Sequence, residues 1–268
     1  MPELPEVEIV ARQLARRLTG RTVRRLRILD PRLRNGVLPR VSGREIVAVR
    51  RSGKRVLIRF SKGGTRRPLW LAIHLRMTGR LICHDGTRRD RSHLRARFVL
   101  DRGELWFVDT RRFGTFGWYA SEAETAPGGV DPLDRDCTAA RLGELLGASR
   151  QPIKPWLLRQ DRLVGLGNIY ASEILYAAGI SPFRPAGSLD RGEIGRLHRQ
   201  TRRILRRAIE NCGTTFSDFQ DSRGVEGSYQ RYLRVYDRQG ESCRHCGTAI
   251  ARVVQAQRST FHCSDCQR

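Results

Sequence analysis

The chain has 268 residues with 51 Lys and Arg against 27 Asp and Glu, a formal net charge of +24 and a sequence pI near 11.3. No apolar run approaches the roughly 20 residues that cross a bilayer, and no signal-peptide pattern opens the chain, so a membrane protein is not expected. Because a strongly basic surface attracts polyanions and the arginines are spread along the whole chain, nucleic acid is the expected partner.

The first element is predicted from MPELPEVEIVARQL, which contains two Pro-Glu pairs before an apolar periodicity. Pro5 suits the first turn of a helix, and Gly20 suits its end. The apolar positions recur at steps of three and four: Val7, Val10, Leu14 and Leu18. The pattern predicts one amphipathic helix.

From about residue 21 to 120 the sequence changes to short runs rich in Val, Ile, Leu and Phe. These runs are EIVAVR, KRVLIRF, LWLAIHL, RARFVL and ELWFV, and turn signals such as SKGG, HDG and DRG separate them. Short apolar runs between turn residues predict an antiparallel β-sandwich or barrel.

The stretch TAPGGVDPLDRD indicates a linker and a domain boundary. Beyond it, residues 134–211 regain helical periodicity, which predicts a helical domain. One predicted helical stripe consists of Ile194, Leu197, Thr201, Ile204, Leu205 and Ala208. The polar stretch TTFSDFQDSRGVEGSYQ shows no periodicity and is predicted to be a loop, and long loops in compact proteins are often functional.

The last residues contain CRHC and CSDC, two CxxC pairs separated by sixteen residues. Four thiolates at this spacing predict a closed tetrahedral Zn²⁺ site with one structural zinc: Cys243, Cys246, Cys263 and Cys266. His245 and His262 lie beside the ligands but are not needed, because four thiolates complete the coordination. The stretch VVQAQRSTFHC, which includes Arg258, is predicted to form a β-hairpin.

Three separated stretches together resemble the formamidopyrimidine-DNA glycosylase and endonuclease VIII family. They are MPELPEVE, LVGLGNIYASEILYAAGISP and the four-cysteine finger ending in CQR, and DTRRFG and IKPWLL add further similarity. The resemblance implies a multidomain α+β protein, with an N-terminal helix and β-sandwich (1–125), a helix-two-turn-helix domain (126–225) and a zinc finger (234–268). It implies a bifunctional DNA glycosylase and AP lyase of base excision repair.

The family resemblance also implies the catalytic residues. Removal of Met1 would expose Pro2, whose secondary amine would attack sugar C1′ and form a Schiff base. Glu3 would protonate the sugar ring oxygen, and Glu6 is similar to a supporting carboxylate, although favourable charge at a helix N-terminus is an alternative role. Lys54 would serve in β-elimination and Arg258 in δ-elimination.

Further residues resemble the DNA-binding positions of the family. Phosphate and DNA contacts are implied for His74, His93, Arg111, Arg150 and Asn168, with Lys154 nearby. Extruding the damaged nucleotide leaves a gap in the stack. Met77 and Phe113, with Arg111, are the expected side chains that fill it.

Two departures from the family leave the substrate open. The sequence reads Arg76-Met77-Thr78 where the family often has Gly before the Met and Ser after it. The GVEGSYQ stretch around Ser228 lies where formamidopyrimidine-type members have a loop over the damaged base, which favours 8-oxoguanine and formamidopyrimidines. The alternatives are oxidised pyrimidines or a non-catalytic damaged-DNA-binding protein. The expected partner is double-stranded DNA with oxidised bases or abasic sites, and the protein is expected to be a monomer in the cytoplasm, associated with the nucleoid if bacterial.

Overall fold

The computed structural model describes residues 1–34, 38–61, 68–84, 92–215, 221–222 and 225–268. The chain forms two compact units: residues 1–126 with 211–230, and residues 127–210 with 231–268. The predicted loop TTFSDFQDSRGVEGSYQ lies partly outside the described residues, because residues 216–220 and 223–224 are not among them. Among the described residues, no helix is both long enough and apolar enough to cross a membrane.

The first unit begins with helix α1 (Leu4–Leu18), which confirms the predicted amphipathic helix. Its apolar face packs on strands β2 (Ile46–Ser52) and β3 (Arg55–Phe60). Leu4, Leu14 and Leu18 are each at most 2 % exposed. Burying a leucine side chain contributes about 1.5–3 kcal/mol, so α1 is held rigidly.

Among the described residues of this unit, two four-stranded antiparallel sheets follow α1, with strand orders β1-β6-β7-β5 and β2-β3-β4-β8. The remaining strands are β1 (Val23–Ile28), β4 (Leu69–His74), β5 (Gly79–His84), β6 (Leu94–Leu100), β7 (Glu104–Asp109) and β8 (Thr115–Tyr119). Buried and partly exposed residues alternate along β6, as expected when one sheet face packs on a core. Short 3₁₀ turns span Pro31–Leu33 and Ala123–Thr125. The predicted β-sandwich is confirmed.

The second unit contains four helices and a small β-hairpin. The helices are α2 (Ala139–Leu146), α3 (Ile153–Leu157), α4 (Asn168–Ala178) and α5 (Arg191–Glu210). In α5 the residues Leu197, Thr201, Ile204, Leu205 and Ala208 are buried, as their helical spacing predicts. Helix α4 ends at Gly179, whose φ of +69° is the left-handed conformation that glycine adopts without strain.

The hairpin of the second unit comprises β9 (Ala251–Gln255) and β10 (Arg258–His262). Strand β10 packs on α4. Further 3₁₀ turns span Ala186–Ser188 and Tyr229–Tyr232. The predicted helical region, finger hairpin and α+β class are confirmed.

Candidate functional site

The Pro-Glu pair lies at the N-terminal tip of α1. Pro2 is buried, and Glu3 and Glu6 are 3 % and 1 % exposed. The Glu6 carboxylate accepts a hydrogen bond from the backbone N–H of Glu3 at 2.8 Å, the contact that closes a capping box. The bond fixes the direction in which the chain enters the helix, and therefore the direction in which the Pro2 nitrogen points.

Lys54 lies in the two-residue turn that joins β2 to β3. Ser52 pairs with Arg55, and Gly53 between them has a φ of +57°. A glycine at the first turn position matches the type II′ hairpin, whose twist suits the flanking strands. The Lys54 side chain is only 8 % exposed, so its ammonium group is held against the protein surface.

An ion pair connects the Lys54 turn to α1. Glu8 on α1 accepts a hydrogen bond from Arg51 Nε at 2.8 Å, and Arg51 also donates to the carbonyl of Gly53 at 3.3 Å. The two side chains are 8 % and 18 % exposed, which limits screening by solvent. The hairpin turn and the Pro2-Glu3 tip therefore share one rigid support.

His74 ends β4 and pairs across the sheet with Arg55. Burial, and then the neighbouring charges of Arg76, Lys54 and Arg55, lower the pKa of His74 to about 4. Its Nδ1 accepts the backbone N–H of Arg76 at 3.0 Å, so the neutral ring holds its proton on Nε2. At neutral pH the ring is therefore an uncharged donor suited to a phosphate oxygen.

The lowered pKa predicts a loss of stability in acid. Because the unfolded His74 titrates near 6.5 and the folded one near 4, the unfolded state binds more protons as the pH falls through this window. Between pH 7.5 and 5.5, the unfolding free energy of the wild type should fall by about 1 kcal/mol more than that of the His74→Gln variant. Urea unfolding at the two pH values measures this, with His93→Gln as control; parallel profiles for the wild type and His74→Gln would contradict it.

One buried carboxylate organises the two loops that follow β4 and β7. Asp109, 1 % exposed, accepts hydrogen bonds from the Thr78 hydroxyl and, at 2.8 Å, from the backbone N–H of Gly114. The Thr78 hydroxyl also accepts the backbone N–H of Arg111 at 3.1 Å. The threonine that replaces the expected serine thus keeps the hydroxyl that joins the loops.

The two loops bring Met77, Arg111 and Phe113 together, and these three residues are called the insertion cluster here. Met77 and Phe113 are 44 % and 46 % exposed although both are large and apolar. The Arg111 guanidinium lies 4.8 Å from the centre of the Phe113 ring, and its Nη1 lies 3.3 Å from the Met77 sulfur. Such an exposed apolar group beside a cation is a suitable surface for a binding partner.

Two residues of these loops have a left-handed backbone conformation. Arg76 has a φ of +54° and Arg112 a φ of +58°, and a glycine at position 76, as the family often has, would adopt this conformation at lower cost. Arg112 forms two hydrogen bonds to Asp30, at 2.7 and 2.8 Å, and this contact holds the pKa of the Asp30 carboxyl near 2. His93 is exposed, and its carbonyl accepts the backbone N–H of Asp109 at 3.0 Å.

In the second unit, Asn168 is the first residue of α4. Its side-chain Oδ1 accepts from Lys154 Nζ at 2.7 Å, and its Nδ2 donates to the carbonyl of Ser259 at 2.9 Å. Lys154 is fully buried and also donates to the Ser259 carbonyl at 2.9 Å and to Thr260 Oγ1 at 2.8 Å. Lys154 therefore joins α3, the N-terminus of α4 and strand β10, and its burial makes it a positioning residue and not an exposed DNA contact.

Arg258 is exposed and begins β10, directly after a tight turn. The turn residues Ala256 and Gln257 have φ values of +48° and +61°, the pattern of a type I′ hairpin, which is unusual without glycine or asparagine. Arg150 is also exposed, between α2 and α3. The structure places both guanidinium groups at the surface of the second unit.

The four cysteines form a structural zinc site. Their Sγ atoms lie within 4.8 Å of one another, and two of the pairs, Cys243–Cys266 and Cys246–Cys263, are 3.8 and 3.4 Å apart. Four ligands at the usual Zn–S distance of about 2.3 Å would be about 3.8 Å apart, so the cluster has the right size. Four thiolates leave no open position, so the metal stabilises the finger.

Glu173 on α4 is a supporting residue that the sequence did not reveal. It is 3 % exposed, and its carboxylate accepts the backbone N–H groups of residues 234, 235 and 236, each at 2.9 Å. Burial raises the pKa of Glu173 despite these donors. Tyr176, one turn further, lies 3.2 Å from the Cys243 sulfur through its hydroxyl. The segment leading into the finger, residues 234–236, is therefore held by α4.

Three family models match consecutive parts of the chain. They describe the formamidopyrimidine-DNA glycosylase N-terminal domain at residues 1–116, the H2TH domain of the same enzymes at 129–220, and a zinc finger found in FPG and IleRS at 240–268. A formamidopyrimidine-DNA glycosylase of Chloroflexus aggregans is 44 % identical over 276 residues, with 100 % of this chain and 98 % of the relative covered. One of Symbiobacterium thermophilum is 43 % identical, with 100 % and 89 % covered.

Solved structures show the same similarity. A Lactococcus lactis FPG variant bound to Fapy-dG-containing DNA has a TM-score of 0.87 and 30 % identity, with all of both chains covered. The Lactococcus lactis protein bound to DNA with an abasic site has a TM-score of 0.88 with 99 % of each chain covered. The MutM (FPG) protein of Thermus thermophilus has a TM-score of 0.86 and 38 % identity, with 99 % and 98 % covered.

Proposed function

The chain belongs to the formamidopyrimidine-DNA glycosylase family and is a DNA glycosylase of base excision repair, and on that premise we propose that it excises oxidised purines from duplex DNA and then cleaves the strand at the abasic site. The observation that supports this most is the Pro2-Glu3 tip of α1: a buried proline that removal of Met1 would turn into an N-terminal amine lies next to a buried carboxylate, an arrangement that simple DNA binding does not require.

The proposed chemistry starts at Pro2. Its neutral secondary amine attacks C1′, the bond from C1′ to the base breaks, and the base departs with a proton. Glu3 protonates the ring oxygen as the sugar opens, which leaves an iminium between C1′ and the proline nitrogen. A model-peptide α-amine has a pKa of about 7.7–8.0, so a fraction is unprotonated at working pH.

Strand cleavage follows from the iminium charge. The charge acidifies C2′–H, whose removal expels the 3′ phosphate, and a second elimination through C4′ expels the 5′ phosphate. We assign Lys54 to the first elimination and Arg258 to the second. The support for Lys54 is that its turn is connected through Arg51 to α1, the helix that carries Pro2 and Glu3.

Binding of duplex DNA is proposed for both units. Phosphate contacts are assigned to His74, His93, Arg111, Arg150, Asn168 and Arg258, several of which are exposed cations. Asn168 acts through the N-terminus of α4, because its side chain is already bonded to Lys154 and Ser259. The insertion cluster would fill the stack after extrusion of the damaged nucleotide, an apolar wedge that offsets the unstacking cost.

Oxidised pyrimidines are the second candidate substrate. Among the solved structures that resemble this chain, one is a Lactococcus lactis FPG bound to DNA with an oxidised pyrimidine, whereas others contain Fapy-dG. The GVEGSYQ stretch around Ser228, of which residues 225–230 are described, is the proposed discriminator between the two lesion classes. The division into residues 1–125, 126–225 and 234–268, the monomeric state and the cytoplasmic, nucleoid-associated location stay predictions.

The decisive experiment is borohydride trapping on three duplexes. Duplexes with 8-oxoguanine, an oxidised pyrimidine or an abasic site are incubated with the protein and reduced, and the adduct is located by peptide mass analysis. The expected result is an adduct on Pro2 with all active duplexes and faster adduct formation with 8-oxoguanine than with the pyrimidine. Tight binding without any adduct would instead support a non-catalytic damage-binding protein.

A further inference from the structure

Helix α5 carries a large excess of positive charge. Its sequence contains seven arginines, no lysine and two glutamates. Glu193, near the start of the helix, is paired with Arg184, which lies outside the helix. Arg202 donates to the carbonyls of Pro132 and Asp134 at 3.0 and 2.8 Å, so this arginine contributes to the packing of the second unit. The exposed arginines of α5 require a different explanation.

Three of these arginines form one exposed face of α5. The buried stripe of the helix packs on α4 and α2. With 3.6 residues per turn, Arg199, Arg203 and Arg206 are centred about 180° from that stripe, and all three are exposed. These three residues are called the α5 arginine face here. The face points away from α4, and therefore away from Asn168, to which a phosphate contact is assigned above.

The charge of this face is not neutralised within the described part of the chain. Arg203 Nε donates to Gln200 Oε1, a neutral group, at 2.6 Å. Glu210 lies on the same side of the helix, but among the described residues no ion pair joins it to Arg206. Steps of four and three residues place like charges next to each other, which destabilises a helix. The α5 arginine face therefore has the potential to attract an external polyanion.

Two further arginines border the face and are held by other contacts. Arg196 Nε donates to the carbonyl of Ala178 at 3.3 Å. The Arg207 guanidinium lies 4.4 Å from the centre of the Tyr232 ring, and that ring is 38 % exposed. Because both cations are exposed and keep their charge, they strengthen the positive potential on either part of the face.

The spacing of the face matches the backbone of duplex DNA. From Arg199 to Arg206 the helix advances about 10.5 Å at 1.5 Å per residue. Successive phosphates of one DNA strand advance about 3.4 Å along the duplex axis, so the face spans about three phosphates. A guanidinium also offers two parallel N–H donors to one phosphate, which the ammonium group of lysine does not.

We propose that the α5 arginine face binds the phosphate backbone of a second, undamaged duplex while another duplex occupies the lesion site. A DNA glycosylase is surrounded by undamaged DNA, so a second segment of duplex is the polyanion that this face meets at high concentration. Holding both segments makes the second binding event intramolecular and allows transfer between them without release into solution. The proposal does not depend on which oxidised base is excised.

The test is the formation of a complex with two duplexes. The protein is loaded with one equivalent of a fluorescent duplex that contains an uncleavable abasic analogue. A short undamaged duplex with a second fluorophore is then titrated at several salt concentrations, and energy transfer between the two duplexes reports the ternary complex. The variant is a triple substitution: Arg199→Gln, Arg203→Gln and Arg206→Gln.

The wild-type chain should bind the second duplex with an affinity that falls steeply with salt. Each neutralised phosphate contributes about 0.9 to the slope of log K against log salt, so the triple Gln variant should lose about 3 in slope and at least about tenfold in affinity for the second duplex. Affinity for the first duplex and single-turnover cleavage of an abasic duplex should change by less than about twofold. The midpoint of thermal unfolding should not fall, because glutamine relieves the repulsion along α5.

Two controls separate the face from net charge. Lysine at positions 199, 203 and 206 keeps the charges and should keep the salt slope. A second triple variant removes three exposed arginines from the first unit and should bind the second duplex within about twofold of the wild type, because salt screens distant charges. Its substitutions are Arg16→Gln, Arg24→Gln and Arg25→Gln.

Three results would overturn the proposal. The first is a loaded wild-type chain that binds no second duplex. The second is an equal loss of second-duplex binding in the two Gln variants, which would show that net charge and not the α5 arginine face is responsible. The third is tighter binding of single-stranded RNA than of duplex DNA to the loaded chain, which would assign the face to another polyanion.

Discussion

A chain that retains Met1 is expected to form no borohydride-stable adduct with abasic DNA. The Pro2 nitrogen is then an amide whose lone pair is delocalised into the Met1 carbonyl, so it is not a nucleophile. Removing the nucleophile should lower strand cleavage by at least about a thousandfold. Single-turnover cleavage of an abasic duplex and trapping yield measure the effect, and the retained methionine is verified by mass spectrometry.

The control for this prediction is the same chain with a removable N-terminal tag. Before cleavage the tag blocks the Pro2 nitrogen, and cleavage that leaves Pro2 as the first residue should restore activity in the same preparation. Affinity for an uncleavable abasic analogue should change little, because the phosphate contacts are unaltered. An adduct formed by the blocked chain would show that another amine, with Lys54 as the first candidate, is the nucleophile.

The second large effect is expected for Lys154→Met. Lysine occurs at only three of the 51 basic positions, 54, 62 and 154. At 154 the three donors of a compact ammonium group meet three acceptors, which a planar guanidinium could not do in the same space. Methionine keeps the stem but leaves buried acceptors without this donor, at a cost of about 3 kcal/mol.

The Lys154→Met chain should be less stable and bind DNA more weakly, because Asn168 and strand β10 lose their common anchor. Urea unfolding and equilibrium binding to an abasic-analogue duplex measure the two effects. Arg150→Met is the matched control: it removes an exposed positive charge and should weaken DNA binding while leaving the unfolding free energy within about 0.5 kcal/mol. Equal stability of the two variants would contradict the role assigned to Lys154.

The roles of two buried carboxylates that support the site could not be predicted from the sequence. Asp109 lies in DTRRFG and Glu173 in GNIYASEIL, which both resemble family sequences, yet the roles of these two residues depend on partners elsewhere in the chain. Asp109 acts on Thr78, and Glu173 acts on residues 234–236. Nothing in the spacing of a single stretch identifies a hydrogen bond across thirty or sixty residues.

The local elements were accessible because each one follows from short-range chemistry. The apolar period of three and four predicted α1 and α5, alternation between turn signals predicted the sandwich, and the CxxC spacing predicted a zinc finger. The turn that contains Lys54 and the exposure of Met77 and Phe113 also agree with the sequence, because these residues lie between or directly after predicted strands.

What the sequence alone determined about this protein is therefore its elements, its metal ligands and the residue types offered to DNA. What only the tertiary structure decided is which groups bond to each other: Glu6 with the backbone N–H of Thr214, Arg51 with the carbonyl of Gly53 in the Lys54 turn, and buried Lys154 with Asn168. The physical reason is that a hydrogen bond between distant residues depends on burial and distance within a few tenths of an ångström, which a linear pattern does not encode. The Pro2-Glu3 pair could be identified from the sequence, but the hydrogen bonds that orient it could not.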